Sequence, residues 1–125
     1  MRPRVVDTSV LVASVDPKDA HHDEAMQILA DVGPTVVPNE VLVETVGLLS
    51  HRASPQQARA FAARLRRTPR FELGHESDMG GALRLLDNFP RLSIVDACAV
   101  TLAWRLGAEL DTFDDAQRAA WKSRR

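Results

Sequence analysis

The alternation of short apolar segments with longer helical segments constrains the fold more than any other feature of the sequence. Residues 4–6 and 35–37 are predicted to be buried strands, and residues 71–73 and 109–111 are weaker strand candidates. Segments with apolar residues at helical spacing follow the first three of these strands. Parallel strands are joined by crossovers, usually helices, whereas a tight turn joins antiparallel ones. The pattern therefore predicts an α/β fold in three layers, with a short parallel sheet between helices.

Capping residues predict where the helices begin and end. Thr8 or Ser9 is expected to cap a first helix that ends at residue 15, and Asn39 a helix that runs to about residue 50. Ser54 and Ser93 have the features of helix N-caps, and Gly107 those of a C-terminal cap. Ser77 is expected to open a helix that runs to about residue 88, and further helices are predicted over residues 19–31 and 115–121.

Composition and charge limit the class of protein. The length of 125 residues fits a single domain spanning 1–125, and the net charge of -1 restricts any nucleic-acid affinity to local basic patches. The single Cys98 excludes an internal disulfide and a cysteine-based zinc site. The sequence has neither the apolar run of a signal peptide nor that of a membrane span, so a cytoplasmic protein is expected.

Four isolated acids occur in apolar surroundings at or near predicted helix starts: Asp7, Glu44, Asp96 and Asp114. Removing an ionised carboxylate from water is costly unless it is paired or bound to a cation, and no basic residue lies beside these acids. Carboxylate oxygens are the ligands that Mg²⁺ or Mn²⁺ prefers, and such an ion promotes hydrolysis of phosphodiester bonds. The sequence therefore predicts a shared metal site.

Three of the acids also have a simpler interpretation. Asp7 can be a strand-end residue that bonds to its own backbone, and Asp96 a first-turn acid that complements the helix dipole. Asp114, like its neighbour Asp115, can be the N-cap of the last helix. Glu44 shares a helical face with Val41 and Leu48 and thus interrupts a predicted buried stripe, which favours a functional role. Which neighbouring acids join the site is left open by the sequence; the candidates are Asp111, Asp115 and Glu40.

A segment from Arg52 to Arg70 is rich in arginine and contains no acid. Arg64, Arg66 and Arg67 are its candidates for contacts with nucleic-acid phosphates, and a solvated helix face is an equally good explanation. A basic C-terminal segment of Lys122, Arg124 and Arg125 follows the last predicted helix. The chain has no Tyr, and base specificity is not readable from the sequence.

Residues 5–11, 38–44, 93–97 and 112–114 together resemble the PIN-domain nuclease family, and in length and motif order the chain is most similar to VapC-type toxins. The resemblance implies a metal-dependent endoribonuclease, the toxin of a type II toxin-antitoxin pair, in which Asp7, Glu44, Asp96 and Asp114 hold Mg²⁺ or Mn²⁺. It also implies an antitoxin partner and a homodimer formed through early helices.

By the same resemblance Ser9 would hydrogen-bond within the site and Thr112 would help to place the Asp114 carboxylate. One departure is visible, because family members commonly continue past the fourth acid into another short strand, whereas here a helical and basic segment follows.

Two other functions are compatible with some of these features. A phospho-acceptor signalling domain would use a strand-end Asp, but it would want a Lys near the last strand, and the chain has only Lys18 and Lys122. A PIN fold that binds RNA without cutting it is the other alternative, and the complete set of four acids argues against it.

Overall fold

Four short parallel strands form the centre of the computed structural model, which describes residues 2–31 and 33–124. They are β1 (Arg4–Val6), β2 (Thr35–Pro38), β3 (Phe71–His75) and β4 (Glu109–Asp111), in the spatial order β3-β2-β1-β4. In the central strand β1, Val5 pairs with Val36 on one side and with Leu110 on the other. The prediction of a parallel sheet is thereby confirmed, including both weaker strands.

Helices cover the sheet and account for the other two layers. They are α1 (Thr8–Val15), α2 (His22–Ala30), α3 (Asn39–Arg52), α4 (Pro55–Arg67), α5 (Met79–Asn88), α6 (Ile94–Leu106) and α7 (Asp115–Lys122). The chain crosses from β1 to β3 in one direction and then returns to β4. Connections between parallel strands are right-handed as a rule, and this order then corresponds to α1–α4 on one face of the sheet and α5–α6 on the other. The predicted three-layer α/β architecture is confirmed.

The predicted caps are partly confirmed. Ser54 accepts the Gln57 N–H at the start of α4, Ser93 forms a reciprocal capping box with α6, and Gly107 ends α6 with a φ of 62°. Three capping predictions are wrong. Asp78, and not Ser77, caps α5 and accepts the Gly81 N–H. Asp7, and not Thr8 or Ser9, caps α1. Asn39 is already the first residue of α3 and gives no side-chain cap, because strand β2 extends one residue further, to Pro38.

Small side chains in α6 allow this helix to lie against the sheet. Ala97, Ala99, Val100 and Ala103 are each fully buried, as the apolar sequence of this segment predicts. In α3 the fully buried positions are Val41 and Thr45 and, one turn later, Leu49, so Glu44 lies at the edge of the buried stripe and is half-buried.

After Asp114 the chain enters α7, and the described residues contain no strand beyond β4. Within these same residues, no helix has the length and apolar character needed to cross a membrane.

Candidate functional site

All four predicted acids line one pocket of about 290 Å³. Asp7 follows the end of β1, Asp96 lies in the first turn of α6, and Asp114 is the N-cap of α7. Glu44 comes from the middle of α3. Four separate elements therefore bring the acids together at the carboxyl edge of the sheet, which is where ligands bind in open α/β folds.

Asp7 is held by a set of hydrogen-bond donors. Its side chain caps α1, and the residue is only 2% exposed. One carboxylate oxygen, Oδ2, accepts the N–H of Ser9 at 3.2 Å, the hydroxyl of Ser9 at 2.9 Å and the hydroxyl of Thr112 at 3.3 Å. The other oxygen, Oδ1, accepts Nε2 of Gln117 at 3.2 Å. Hydrogen bonds to both carboxylate oxygens fix the orientation of the Asp7 side chain.

Asp96 is half-buried and carries an unfavourable charge. Its carboxylate accepts the Ser93 N–H at 3.1 Å, while its own N–H donates to the Ser93 hydroxyl at 3.0 Å. Burial raises the pKa of Asp96 above its ordinary value, and the nearby negative charges of Asp7 and Asp114 raise this pKa further, against the lowering effect of the Ser93 N–H. The pocket thus gathers negative charge that a bound cation would neutralise.

The other two acids have fewer constraints. Asp114 is exposed, and its carboxylate accepts the Gln117 N–H at 2.8 Å. The Thr112 hydroxyl accepts the backbone N–H of Asp114 at 3.0 Å, so it orients the backbone of this residue and not the carboxylate. Glu44 has neither a hydrogen bond nor an ion pair with any residue that the structure describes.

Gln117 is a functional-site residue that the sequence analysis missed. It is fully buried in α7, its Nε2 donates to Asp7 and to the Asp96 carbonyl, both at 3.2 Å, and its Oε1 accepts the Thr112 hydroxyl at 2.6 Å. One side chain therefore ties three of the predicted site residues together. The available signal is the spacing Asp114-x-x-Gln117, which is that of a helix capping box.

The rim of the pocket includes an aromatic pair and a cation. The ring of His21 stacks on that of Phe113, with centroids 4.3 Å apart and an angle of 12° between the planes. Arg52 lines the same pocket, and it forms no ion pair within the described part of the chain. His21 is exposed and also lines the pocket.

The three acids that the sequence left open lie outside the pocket and have other partners. Asp111 binds the Arg4 guanidinium through both carboxylate oxygens, at 2.8 Å each. Asp115 pairs with Arg118 at 3.3 Å, and Glu40 accepts the Ser77 hydroxyl.

The predicted arginines occupy a different surface. Arg64, Arg66 and Arg67 are exposed on α4, whose opposite face buries Phe61 and Leu65. None of the three lines the acidic pocket.

The donor atoms of the pocket suit a hard divalent cation, since they are carboxylate and hydroxyl oxygens. In the described residues, no group of three acid, His or Cys side chains is already gathered tightly enough to hold a metal ion. The carboxylates of Asp7, Asp96 and Asp114 each accept a backbone N–H at the start of a helix.

The fold and the pocket define the class of this protein as a three-layer α/β domain with an acidic pocket at the carboxyl edge of its sheet. The model of the PIN domain family matches residues 4–122, and the chain belongs to this family. Comparison with curated proteins gives no significant match.

Solved structures of toxins are among those similar to this chain. VapC20 of Mycobacterium tuberculosis, a toxin that cleaves the sarcin-ricin loop, has 27% identity and a TM-score of 0.78, over 94% of each chain. PAE2754 of Pyrobaculum aerophilum has 20% identity and a TM-score of 0.60, over 95% of this chain and 84% of its own. VapBC2 of Rickettsia felis, bound to a promoter DNA fragment, matches at 14% identity and a TM-score of 0.55, over 90% of this chain and 99% of that one. The last two show the fold alone, and the first supports the predicted VapC-type resemblance.

Proposed function

We propose that this protein is a metal-dependent endoribonuclease and the toxin of a type II toxin-antitoxin pair. The observation that carries the proposal is the convergence of four carboxylates in one pocket, without an ion pair to any of them from the described residues. Membership of the PIN domain family and the similarity to a toxin that cleaves RNA support this function.

The residues that would hold Mg²⁺ or Mn²⁺ are Asp7, Glu44, Asp96 and Asp114. Such an ion, when bound, supplies activation of water and neutralisation of charge on the phosphate. The hydroxyls of Ser9 and Thr112 and the amide of Gln117 hold the Asp7 carboxylate in its orientation. The carboxylate oxygens of Glu44 have no partner among the described residues, so they would be available to bind the ion or to accept a hydrogen bond from a water molecule.

A partner protein and a second copy of the chain belong to the same proposal. A cognate antitoxin would block the acidic pocket, and a cationic side chain would suit its charge. Two apolar side chains support a homodimer formed through early helices, since Met26 of α2 is 51% exposed and Val43 of α3 is 73% exposed. A toxin that acts on cellular RNA would work in the cytoplasm.

Cleavage of a mixed RNA pool by the purified protein tests the function. We expect cutting with Mg²⁺ or Mn²⁺ and none with EDTA, and the cut ends would then identify the preferred site. A protein that binds divalent ions and RNA but cuts no RNA in the pool would contradict the proposal and favour the RNA-binding alternative.

Replacing Arg64, Arg66 and Arg67 together with glutamine is expected to weaken RNA binding without unfolding the protein, because all three side chains are exposed. Each phosphate contact on single-stranded RNA contributes about 0.7 to the slope of log affinity against log salt concentration, so that slope should fall by about 2. The measurement is RNA affinity at several salt concentrations. An unchanged slope would mark this face of α4 as merely solvated.

Asp111→Asn is expected to lower stability and to leave cleavage intact, because Asp111 pairs with Arg4 and lies outside the acidic pocket. Loss of a part-buried, charged hydrogen-bond partner costs about 1–3 kcal/mol of the free energy of unfolding. Urea unfolding and the cleavage rate per folded molecule are the measurements. A loss of cleavage at full stability would place Asp111 in the active site instead.

A further inference from the structure

We propose that a second pocket, formed by α5, α6 and the chain end after α7, binds a nucleotide of single-stranded RNA. This arginine pocket, of about 520 Å³, is lined by Arg84, Arg105, Arg124 and Trp104, together with other side chains. Its volume lies in the range of small-ligand sites. The choice of RNA as ligand rests on the proposed ribonuclease function, whereas the pocket itself is separate from the acidic one.

The charge of the arginine pocket favours an anion. The lining of the pocket contains three guanidinium groups and only one carboxylate, that of Asp78. This carboxylate already accepts the Gly81 N–H at 2.9 Å. In the part of the chain that the structure describes, none of the three arginines forms an ion pair; Arg105 donates to the Glu76 carbonyl at 2.7 Å. Guanidinium groups with free donors bind phosphate oxygens in paired geometry, so the pocket is suited to a phosphate group.

The arginine pocket also offers a planar platform. The Trp104 indole is fixed by a hydrogen bond from Nε1 to the Trp121 carbonyl at 2.9 Å. The Arg124 guanidinium lies over this indole, with its central carbon 4.3 Å from the ring centroid. Unpaired bases stack on aromatic rings and on guanidinium planes, which duplex bases and free phosphate cannot do. Phosphate-binding groups beside a stacking platform match a nucleotide in a single strand.

The position of the arginine pocket relates it to the acidic pocket. Asp96 and Arg105 lie at opposite ends of α6, about 14 Å apart along the helix axis. Similarly, α7 begins after Asp114 and leads to Arg124. Both pockets therefore border α6 and α7. In this proposal one RNA strand contacts both of them, and the binding energy gained at the arginine pocket positions the strand for cleavage at the acidic one.

The proposal is tested by measuring how tightly a fluorescently labelled single-stranded RNA oligonucleotide binds to a protein that cannot cut it. The protein carries Asp96→Asn to prevent cleavage, and Arg84→Gln with Arg105→Gln removes two of the pocket cations while leaving the Arg124–Trp104 stack. The control, Arg2→Gln with Arg91→Gln, removes two exposed charges that do not line the arginine pocket. We expect the dissociation constant to rise about 10-fold and the salt slope to fall by about 1.4 in the pocket variant only.

Several outcomes would overturn the arginine pocket as an RNA site. Unchanged affinity in the pocket variant would do so, and an equal loss in the control would show a bulk charge effect. An oligo-aspartate peptide can be tested for binding to the same variants. If peptide binding depends on Arg84 and Arg105 while RNA binding does not, the pocket belongs to an acidic protein partner.

The stacking platform has its own test. Trp104→Leu is expected to weaken RNA binding and to remove the quenching of tryptophan fluorescence by the oligonucleotide. Persistence of that quenching in a folded Trp104→Leu protein would contradict stacking on Trp104. If this variant fails to fold, the arginine double variant still decides the matter.

Failure of this inference is distinguishable from failure of the proposed function. If the variant with Arg84→Gln and Arg105→Gln, without Asp96→Asn, cuts RNA at the wild-type rate and these two changes leave RNA affinity unaltered, only the role of the arginine pocket is refuted. Pocket-dependent RNA binding by a wild-type protein that never cuts RNA would refute the nuclease alone.

Discussion

Asp96→Asn is expected to lower the rate of RNA cleavage by about 10³-fold, while the protein remains folded. The amide can still accept the Ser93 N–H through its oxygen, so the capping box of α6 is preserved. It cannot supply the negative charge that the proposed cation requires. The measurement is a cleavage time course at saturating Mg²⁺ or Mn²⁺, with urea unfolding in parallel.

The stability of Asp96→Asn has a predicted sign. Because the pKa of Asp96 is raised in the folded protein, the folded state retains this proton more tightly than the unfolded state does. In EDTA, the wild type should therefore lose stability as pH rises from the ordinary value of 3.8 through the folded pKa, and the variant should not. At neutral pH the variant should unfold at a urea concentration at least as high as the wild type.

Asp87→Asn is the matched control, since Asp87 is exposed on α5 and lies outside the acidic pocket. It should cleave as the wild type does. Cleavage at the wild-type rate by Asp96→Asn would remove Asp96 from the proposed metal site. A variant that is inactive because it is unfolded would show only that the capping box needs the carboxylate.

Gln117→Leu should reduce the affinity for a divalent cation by about 10- to 100-fold, because residues that orient a metal ligand typically contribute this much. Leucine cannot donate to Asp7 or to the Asp96 carbonyl, and it removes the nearer of the two acceptors of the Thr112 hydroxyl, so that Asp7 Oδ2 is left as the other. The same unsatisfied groups should lower the free energy of unfolding by about 1–3 kcal/mol. Calorimetric titration with Mn²⁺ and urea unfolding give the two quantities.

A positioning role for Gln117 predicts one behaviour that a purely structural role does not. Raising the Mn²⁺ concentration should restore much of the cleavage by Gln117→Leu, since the four carboxylates are still present. Gln56→Leu is the control, because Gln56 is exposed on α4 and far from the network in sequence. If folded Gln117→Leu binds Mn²⁺ as tightly as the wild type, Gln117 has no part in ordering the site.

The sheet and most helices were predictable because their signals are local. Runs such as Val5-Val6 predict buried strands from their own composition, and the caps at Ser54 and Ser93 depend on residues three positions apart. The prediction that Asn39 is an N-cap failed because the strand and the helix are directly adjacent along the chain. Strand β2 extends to Pro38, and Asn39 is therefore already the first residue of α3.

The acids were predictable as a set because each interrupts an apolar context, but their surroundings were not. Gln117 reaches Asp7 across 110 positions of the sequence, and Arg4 reaches Asp111 across 107. Such contacts depend on how the elements pack, and no local periodicity encodes them. The arginine pocket is likewise assembled from three elements that are separate along the chain.

Calorimetric titration of the metal-free protein with Mn²⁺, repeated on Asp96→Asn, tests the central claim most directly. The account predicts saturable binding by the wild type, much weaker binding by the variant, and RNA cleavage that rises with the occupied fraction of the wild type. Equal Mn²⁺ affinity in the two proteins, or RNA cleavage that is undiminished in EDTA, would contradict the assignment of the acidic pocket as the metal centre of a nuclease.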